Sequence, residues 1–282
     1  MFTEQSRKPH ISPTQIDTYL RCPEQWRRRY ALGEKIPPGV ALVKGSAVHR
    51  AAEVNYRQKR ETRADLPVPD LQEAAAAHVQ EMVRREGLML APDEATKGMA
   101  KVRGEILDRA VVLTGLFAQR VAPGVQPVLV EESVSIELPN CSHDLFGRLD
   151  ATDEQDRVRD LKTAGRRKGA DEVERSDQLT FYHLAFQRKL GRAPSSVRLD
   201  VLVDKGNPEV QVLEAQRTPL DAAIFVARLN AVLGGIKAGS FPPAPIGAWC
   251  CSPRYCGYFM TCPYVNAARI AAAERPGQGG NR

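Results

Sequence analysis

Apolar residues recur at helical spacing as far as Val121, alternate with polar ones from Val125, and return to the helical period twice more. Ile11-Ser12-Pro13-Thr14-Gln15 reads as a helix start, with Ser12 at the N-cap and Pro13 at the first helical position. Ile16, Tyr19 and Leu20 would form the buried stripe of that helix. Arg21-Cys22-Pro23 breaks and restarts it, leaving Cys22 at an accessible junction and Trp26 one turn from Tyr30. The Gly- and Pro-rich stretch from Gly33 to Lys44 predicts a loop. Gly45-Ser46 then opens a helix with a Val48, Ala52, Tyr56 stripe, and His49 and Glu53 one turn apart. After a charged connector, Asp70 to Glu86 and Asp93 to Val121 read as two further helices. The second places Val102, Ile106, Leu113 and Phe117 on one face.

The period of two begins with a strand from Val128 to Leu138, followed by the turn Asn140-Cys141-Ser142-His143. Phe146-Gly-Arg-Leu-Asp150 and Arg157-Val-Arg-Asp-Leu-Lys-Thr163 are the next strands, joined by the wholly polar Thr152 to Asp156. A helix from Ser176 to Leu190 follows. Val197 to Val203 and Val210 to Glu214 then form strands around the turn Asp204-Lys-Gly-Asn. An amphipathic helix from Pro219 to Lys237 closes the regular part. Residues 1–10 and the tail from Ala267 read as disordered, the tail after a short helix.

A chain of 282 residues with 43% hydrophobic and 26% charged content has the make-up of an ordinary globular protein. No apolar run is expected to cross a bilayer and the N-terminus lacks a signal-peptide core, so a cytoplasmic location without membrane contact is expected. The net charge of +6 is unevenly spread: residues 1–60 carry twelve Lys or Arg against five Asp or Glu. A basic segment containing Trp26-Arg-Arg-Arg-Tyr30 suits a polyanion, with phosphate contacts from Arg27 and Arg28 and base stacking on the aromatics; a solvated helix face fits it equally. The basic loop Arg166-Arg167-Lys168 offers the same choice between DNA backbone contacts and an exposed turn. There is no Walker A glycine loop, so an ATP-driven motor is expected on another chain.

The chemistry concentrates on the two short strands. Side chains alternate along a strand, so Asp160 and Lys162 share one face while Leu161 turns into a core; Asp150 on the partner strand can join them. Two carboxylates, an ammonium and the Leu161 carbonyl make a site for a hard divalent cation and an attacking water. Asp-x-Lys alone describes a solvated strand edge as well. Glu131 and Glu132 sit on the preceding strand and are not placed in the metal shell. Cys250, Cys251, Cys256 and Cys262 crowd near the C-terminus, Cys22 lies far upstream, and Cys141 stands alone as a free thiol. Four thiolates suit zinc or a 4Fe–4S cluster, and spacing does not separate them.

Gly45-Ser-Ala-Val-His49, Asp150, Asp160-Leu-Lys162, Gln178-Leu-Thr-Phe-Tyr182 and the bracketing cysteines, in this order, resemble the RecB-type branch of the PD-(D/E)xK nucleases. That branch includes the AddB nuclease domain and the CRISPR-associated RecB-like exonucleases. The resemblance runs from about Ile11 to Tyr264. It implies an α/β, restriction-endonuclease-like fold: a mixed central sheet flanked by helices, a helical insertion at about 70–122, a nuclease core at about 125–238, and a cysteine subdomain at 249–264 joined to Cys22, all within one domain spanning 11–266. It implies that His49, Asp150, Asp160 and the Leu161 carbonyl hold Mg2+ or Mn2+, that Lys162 orients the attacking water, that Gln178 steadies Lys162 and the scissile phosphate, and that Tyr182 contacts them nearby. It also implies a 4Fe–4S cluster on Cys22, Cys251, Cys256 and Cys262, Cys250 being the competing neighbour. The activity implied is DNA exonuclease action on single strands or duplex ends in recombination, repair or phage DNA processing, with a helicase or a recombination or adaptation protein as partner. Rival readings are a nuclease subunit of a CRISPR adaptation or recombination complex, and a non-catalytic cluster-bearing DNA-binding protein.

Overall fold

The computed structural model describes residues 8–138, 141–245 and 247–265. Six strands form one mixed sheet: β1 (His10–Ile11), β2 (Pro127–Ile136), β3 (Asp144–Asp153), β4 (Arg157–Ala164), β5 (Ser196–Val203) and β6 (Glu209–Ala215). β2, β3 and β4 are antiparallel neighbours, β4 and β5 run parallel, and β6 returns antiparallel to β5. β1 pairs parallel to the start of β3. His10 therefore belongs to the sheet although the sequence reading left residues 1–10 disordered; residues 1–7, Asn140 of the expected turn, and the tail from residue 266 lie outside the described residues.

Helices cover both faces. On one side α1 (Pro13–Arg21), α7 (Asp177–Leu190) and α8 (Pro219–Lys237) bury Ile16, Phe181, Phe186, Phe225 and Leu229 against Leu145, Leu149, Val158 and Val201. On the other, α3 (Val40–Thr62) and α6 (Met99–Arg120) pack Val48, Tyr56, Leu113 and Phe117 onto Ala151, Leu161 and Leu202. α4 (Val68–Glu86) adds a third layer, closing a core of its own from Val43, Ala47, Leu71, Ala75, Val102 and Ile106. α4 and α6 lie within residues 68–120, and α3 belongs to both cores.

Several boundaries differ from expectation. Ser12 does cap α1, its hydroxyl accepting from the Gln15 amide at 3.3 Å, and Cys22 separates α1 from α2 (Pro23–Trp26). Leu20, however, is 40% exposed, and Thr18 takes the buried position instead. α3 starts at Val40, so Gly45 lies inside it; the run Val40 to Val43 is apolar enough to extend the helix backwards onto the α4 core. Gly45 marks the crossing of α3 over β4, where a Cβ would stand 3.0 Å from the Thr163 hydroxyl. The expected helix from Asp93 is split into α5 (Pro92–Ala95) and α6 by Gly98, whose φ of +83° no helix accommodates. α8 has the length and composition of a membrane-crossing segment, with a mean hydropathy of 1.4, contrary to the expectation that no such run exists. Its Phe225, Leu229, Val232 and Leu233 are packed in the core, while Leu220 and Ile224 face outwards, so it is less amphipathic than its position suggested.

Candidate active site

β3 and β4 pair only at Ala151–Arg159 and Thr152–Val158, next to their hairpin. The same register would set Asp150 opposite Asp160, but there the ladder stops: the Leu161 amide donates to Asp150 Oδ2 at 3.3 Å instead. A side chain has replaced a strand as the partner, and the sheet parts at the two carboxylates. β4 continues on β5 alone, which fixes Asp160 and Lys162 on the α7 side and Leu161 on the α3 side.

α7 completes the arrangement. Its N-cap Ser176 accepts from the Leu179 amide at 3.2 Å, setting the helix start so that Gln178 and Tyr182 lie one turn apart above the parting strands. Lys162 Nζ donates to Gln178 Oε1 at 2.9 Å, Gln178 Nε2 to the Tyr182 hydroxyl at 2.8 Å, and that hydroxyl to Asp150 Oδ1 at 3.4 Å. Lys162 Nζ also lies 3.0 Å from Asp160 Oδ2. From the other face α3 brings His49, whose Nδ1 is 3.4 Å from Asp150 Oδ2. The structure thus gathers His49, Asp150, Asp160, Leu161, Lys162, Gln178 and Tyr182 at one place.

Burial sets the electrostatics of the site. Both Asp160 oxygens are buried without a hydrogen bond of good geometry, a condition costly for any carboxylate. Burial pushes Asp160 up to about 7, an effect that Lys162 opposes and the neighbouring Asp150 reinforces. Asp150 is raised by the same burial. Burial lowers His49, which keeps it neutral and able to ligate a cation. Burial alone would lower Lys162, but Asp160 and Asp150 outweigh it and hold the ammonium charged.

Glu131 is the residue that sequence reasoning declined to place. One oxygen or nitrogen from each of His49, Glu131 and Asp150 lies within 4.8 Å of the others, the only such trio of His, Cys, Asp or Glu among the described residues. The cause is backbone: the β2–β3 register shifts between Pro127 and Val130, and Glu131 takes a φ of +50°. This bulge breaks the alternation and swings the side chain over the site. Arg148 holds it there, Nε to Oε2 at 2.8 Å. The non-Gly left-handed residue is invisible to a period-two reading; the doubled Glu131-Glu132 in a strand is the only signal it left.

The tentative DNA contacts fare differently. Trp26 is buried, stacked on Phe241 with centroids 5.9 Å apart and planes 5° from parallel, so it cannot stack a base; it serves the core instead. Arg27 is clamped on Glu24 by two bonds, Arg28 on Glu34, Arg167 on Glu209 and Lys168 on Glu172. Arg166 is exposed and carries no ion pair among the described residues. Cys22, Cys250, Cys251, Cys256 and Cys262 line one recess of about 420 Å³ between the α1–α2 junction and the C-terminal turns. Cys141 stays apart, packed at the edge of the α7 core.

The chain matches the model of the PD-(D/E)XK nuclease superfamily over residues 10–263. No curated protein matches it in sequence. Among solved structures, a protein of Eubacterium rectale with a provisional exonuclease designation is 12% identical, covers 87% of each chain and superposes with a TM-score of 0.57, which shows a shared fold. The structure of SSO0001 is 16% identical over 89% of this chain and 94% of its own, with a TM-score of 0.37. With its parted strands carrying Asp150 and Asp160-Leu-Lys162, and nearly its whole length within the family's match, the chain belongs to the PD-(D/E)XK nuclease superfamily.

Proposed function

We propose that this protein is a metal-dependent DNA exonuclease of the RecB-type branch, hydrolysing phosphodiester bonds of single-stranded DNA or DNA ends in recombination, repair or phage DNA processing. The observation that carries the reading is the buried Asp160 carboxylate, paired with Lys162 at 3.0 Å and facing Asp150 where the strands part. His49, Glu131, Asp150, Asp160 and the Leu161 carbonyl would hold Mg2+ or Mn2+; these hard oxygen donors and one imidazole suit either ion. When bound, the cation supplies Lewis-acid polarisation of the phosphate and a lowered pKa for water.

The chain's own groups do the rest. Lys162 donates to the attacking water and faces the charge that develops on the phosphate oxygens. Gln178 holds the ammonium in place, and Tyr182 holds Asp150, so the ammonium and the carboxylate are tied through one hydrogen-bonded chain. Exonuclease action agrees with the designation of the Eubacterium rectale structure. A cytoplasmic setting suits a protein that keeps several thiols around one recess.

The same reading assigns a 4Fe–4S cluster to Cys22, Cys251, Cys256 and Cys262. Cys251 rather than Cys250 is taken as the fourth ligand because it opens the segment Cys-Ser-Pro-Arg-Tyr-Cys-Gly-Tyr. Cys250 is 6% exposed with its sulfur turned to the Arg21 carbonyl. Four thiolates suit zinc as well as an iron–sulfur cluster, and metal analysis separates them.

Digestion of end-labelled linear and circular single-stranded DNA with Mg2+ or Mn2+ tests the function. Loss of the linear substrate alone, abolished by Lys162→Ala, is the expected result. Intact linear DNA with folded, metal-loaded protein would overturn it.

A further inference from the structure

Burial of one tryptophan makes the other conspicuous. The chain has two: Trp26 is 8% exposed in the core, and Trp249 is 63% exposed at the cysteine-rich turns. Trp249 is not alone there. Tyr255, 55% exposed, meets it edge to face with ring centroids 5.1 Å apart, and the Arg21 guanidinium lies 5.7 Å from the indole centroid. Arg21 has only weak polar ties, to Gln25 at 3.3 Å and Asp17 at 3.7 Å, and its Nε makes no hydrogen bond.

The aromatic pair is held by backbone, not by a core. Cys251 N donates to the Ala248 carbonyl at 2.9 Å, the Ser252 hydroxyl to the Trp249 carbonyl at 3.1 Å, and Tyr255 N to the Ser252 carbonyl at 3.1 Å. Two rings so fixed lose little freedom on binding, which is what makes an exposed aromatic pair useful rather than merely unfavourable. Nearby charge selects the occupant. The Arg21 guanidinium over the indole is the charge beside the pair. An aromatic pair with an arginine beside it suits a polyanion with flat bases better than a second, equally basic copy of the chain.

We infer that Trp249, Tyr255 and Arg21 form a stacking platform for the bases of single-stranded DNA, outside the metal site. The inference rests on the nuclease reading for the identity of its ligand. Any base has a π-face, so the platform grips a strand without regard to sequence, as an enzyme that digests arbitrary strands requires.

The test uses the full chain with EDTA present, so that the strand survives. Affinity for a labelled oligothymidylate is read by anisotropy, and contact by quenching of tryptophan emission, to which the exposed Trp249 responds. Trp249→Ala with Tyr255→Ala should weaken binding roughly 5- to 150-fold, the range that one stacked base contributes. Trp249→Phe should keep the affinity and lose the quench. Unchanged affinity in the double variant would overturn the platform, as would a concentration-dependent dimer that Trp249→Ala abolishes. Failure of the two readings is distinguishable. Binding with quench but no cleavage under Mn2+ removes the nuclease and leaves the platform; cleavage with no quench does the reverse.

Discussion

Gly147 of β3 lies directly beneath the Phe181 ring of α7, so close that a Cβ on Gly147 would overlap it. That contact sets the height of α7 above the sheet, and α7 carries Gln178 and Tyr182. Gly147→Ala should therefore lift the helix, cost about 1–3 kcal/mol as an overpacked core, and depress cleavage further than the loss of folded protein explains. Thermal unfolding and the cleavage rate measure the two effects, and Phe181→Leu in the same chain should restore part of both.

Removing the amide between Lys162 and Tyr182 isolates its role. Gln178→Ala takes one hydrogen bond from the Lys162 ammonium, worth about 1.5–3 kcal/mol for a charged group, so the rate should fall on the order of 10- to 150-fold. The loss belongs in kcat with KM little changed if Lys162 has the role proposed for it, acting on the reacting phosphate rather than on the bound strand. An unchanged kcat would remove Gln178 from the site.

The pH dependence follows from Asp160. Its folded pKa is raised from the ordinary 3.8 to about 7, so in metal-free protein it contributes stability that is complete below pH 3.8 and is lost as pH rises through 7. A divalent cation needs the ionised carboxylate and reverses the trend. Stabilisation by Mn2+ should thus be small at pH 5.5 and larger at pH 8, both values set about one and a half units or less from that pKa; a thermal shift equal at both would contradict the assignment.

Beneath the site, Asp200 binds Arg159 through both Nε and Nη2, at 3.0 and 2.7 Å, and Arg198 at 2.9 Å, with Arg159 only 4% exposed. Asp200→Ala leaves the buried guanidinium with Asp153 alone, at 3.2 Å, and should cost about 3 kcal/mol in chemical denaturation, the low end for a broken buried pair. Arg159→Met in the same chain should recover much of the loss, because removing both charges is far less harmful than removing one.

The thiol recess has its own signature. Protein isolated without oxygen should absorb in the visible range, and Cys256→Ser should lose that band and its iron together, while Cys141→Ser leaves both intact. Stoichiometric zinc in place of iron would overturn the cluster.

The alternating strands, the Ser12 cap and the helical stripes were legible because each is local: period, cap and turn chemistry act over a few residues. Asp150, Asp160 and Lys162 were legible for the same reason, since register follows from a short hairpin. Glu131 was not, because its placement depends on a bulge and a left-handed backbone that no residue type announces. Trp26 was misread because a basic aromatic run looks alike on a surface and over a core, and only Phe241, more than two hundred positions away, decides between them. Gly98 was overlooked inside an otherwise regular helix, where one glycine is tolerated as often as it breaks.

The parting of β3 from β4 also governs which ions the site accepts. A pocket framed by a continuous ladder would hold its oxygens at fixed spacing and select one ionic radius. Here the two carboxylates hang from strands joined at two positions only, and their separation is kept by a lysine, an amide and a phenol, all of which can shift by tenths of an ångström. The opening is an adjustable jaw rather than a mould, so for the proposed metal site a preference between Mg2+ and Mn2+ would fall to the softness of the His49 nitrogen, not to the size of the gap.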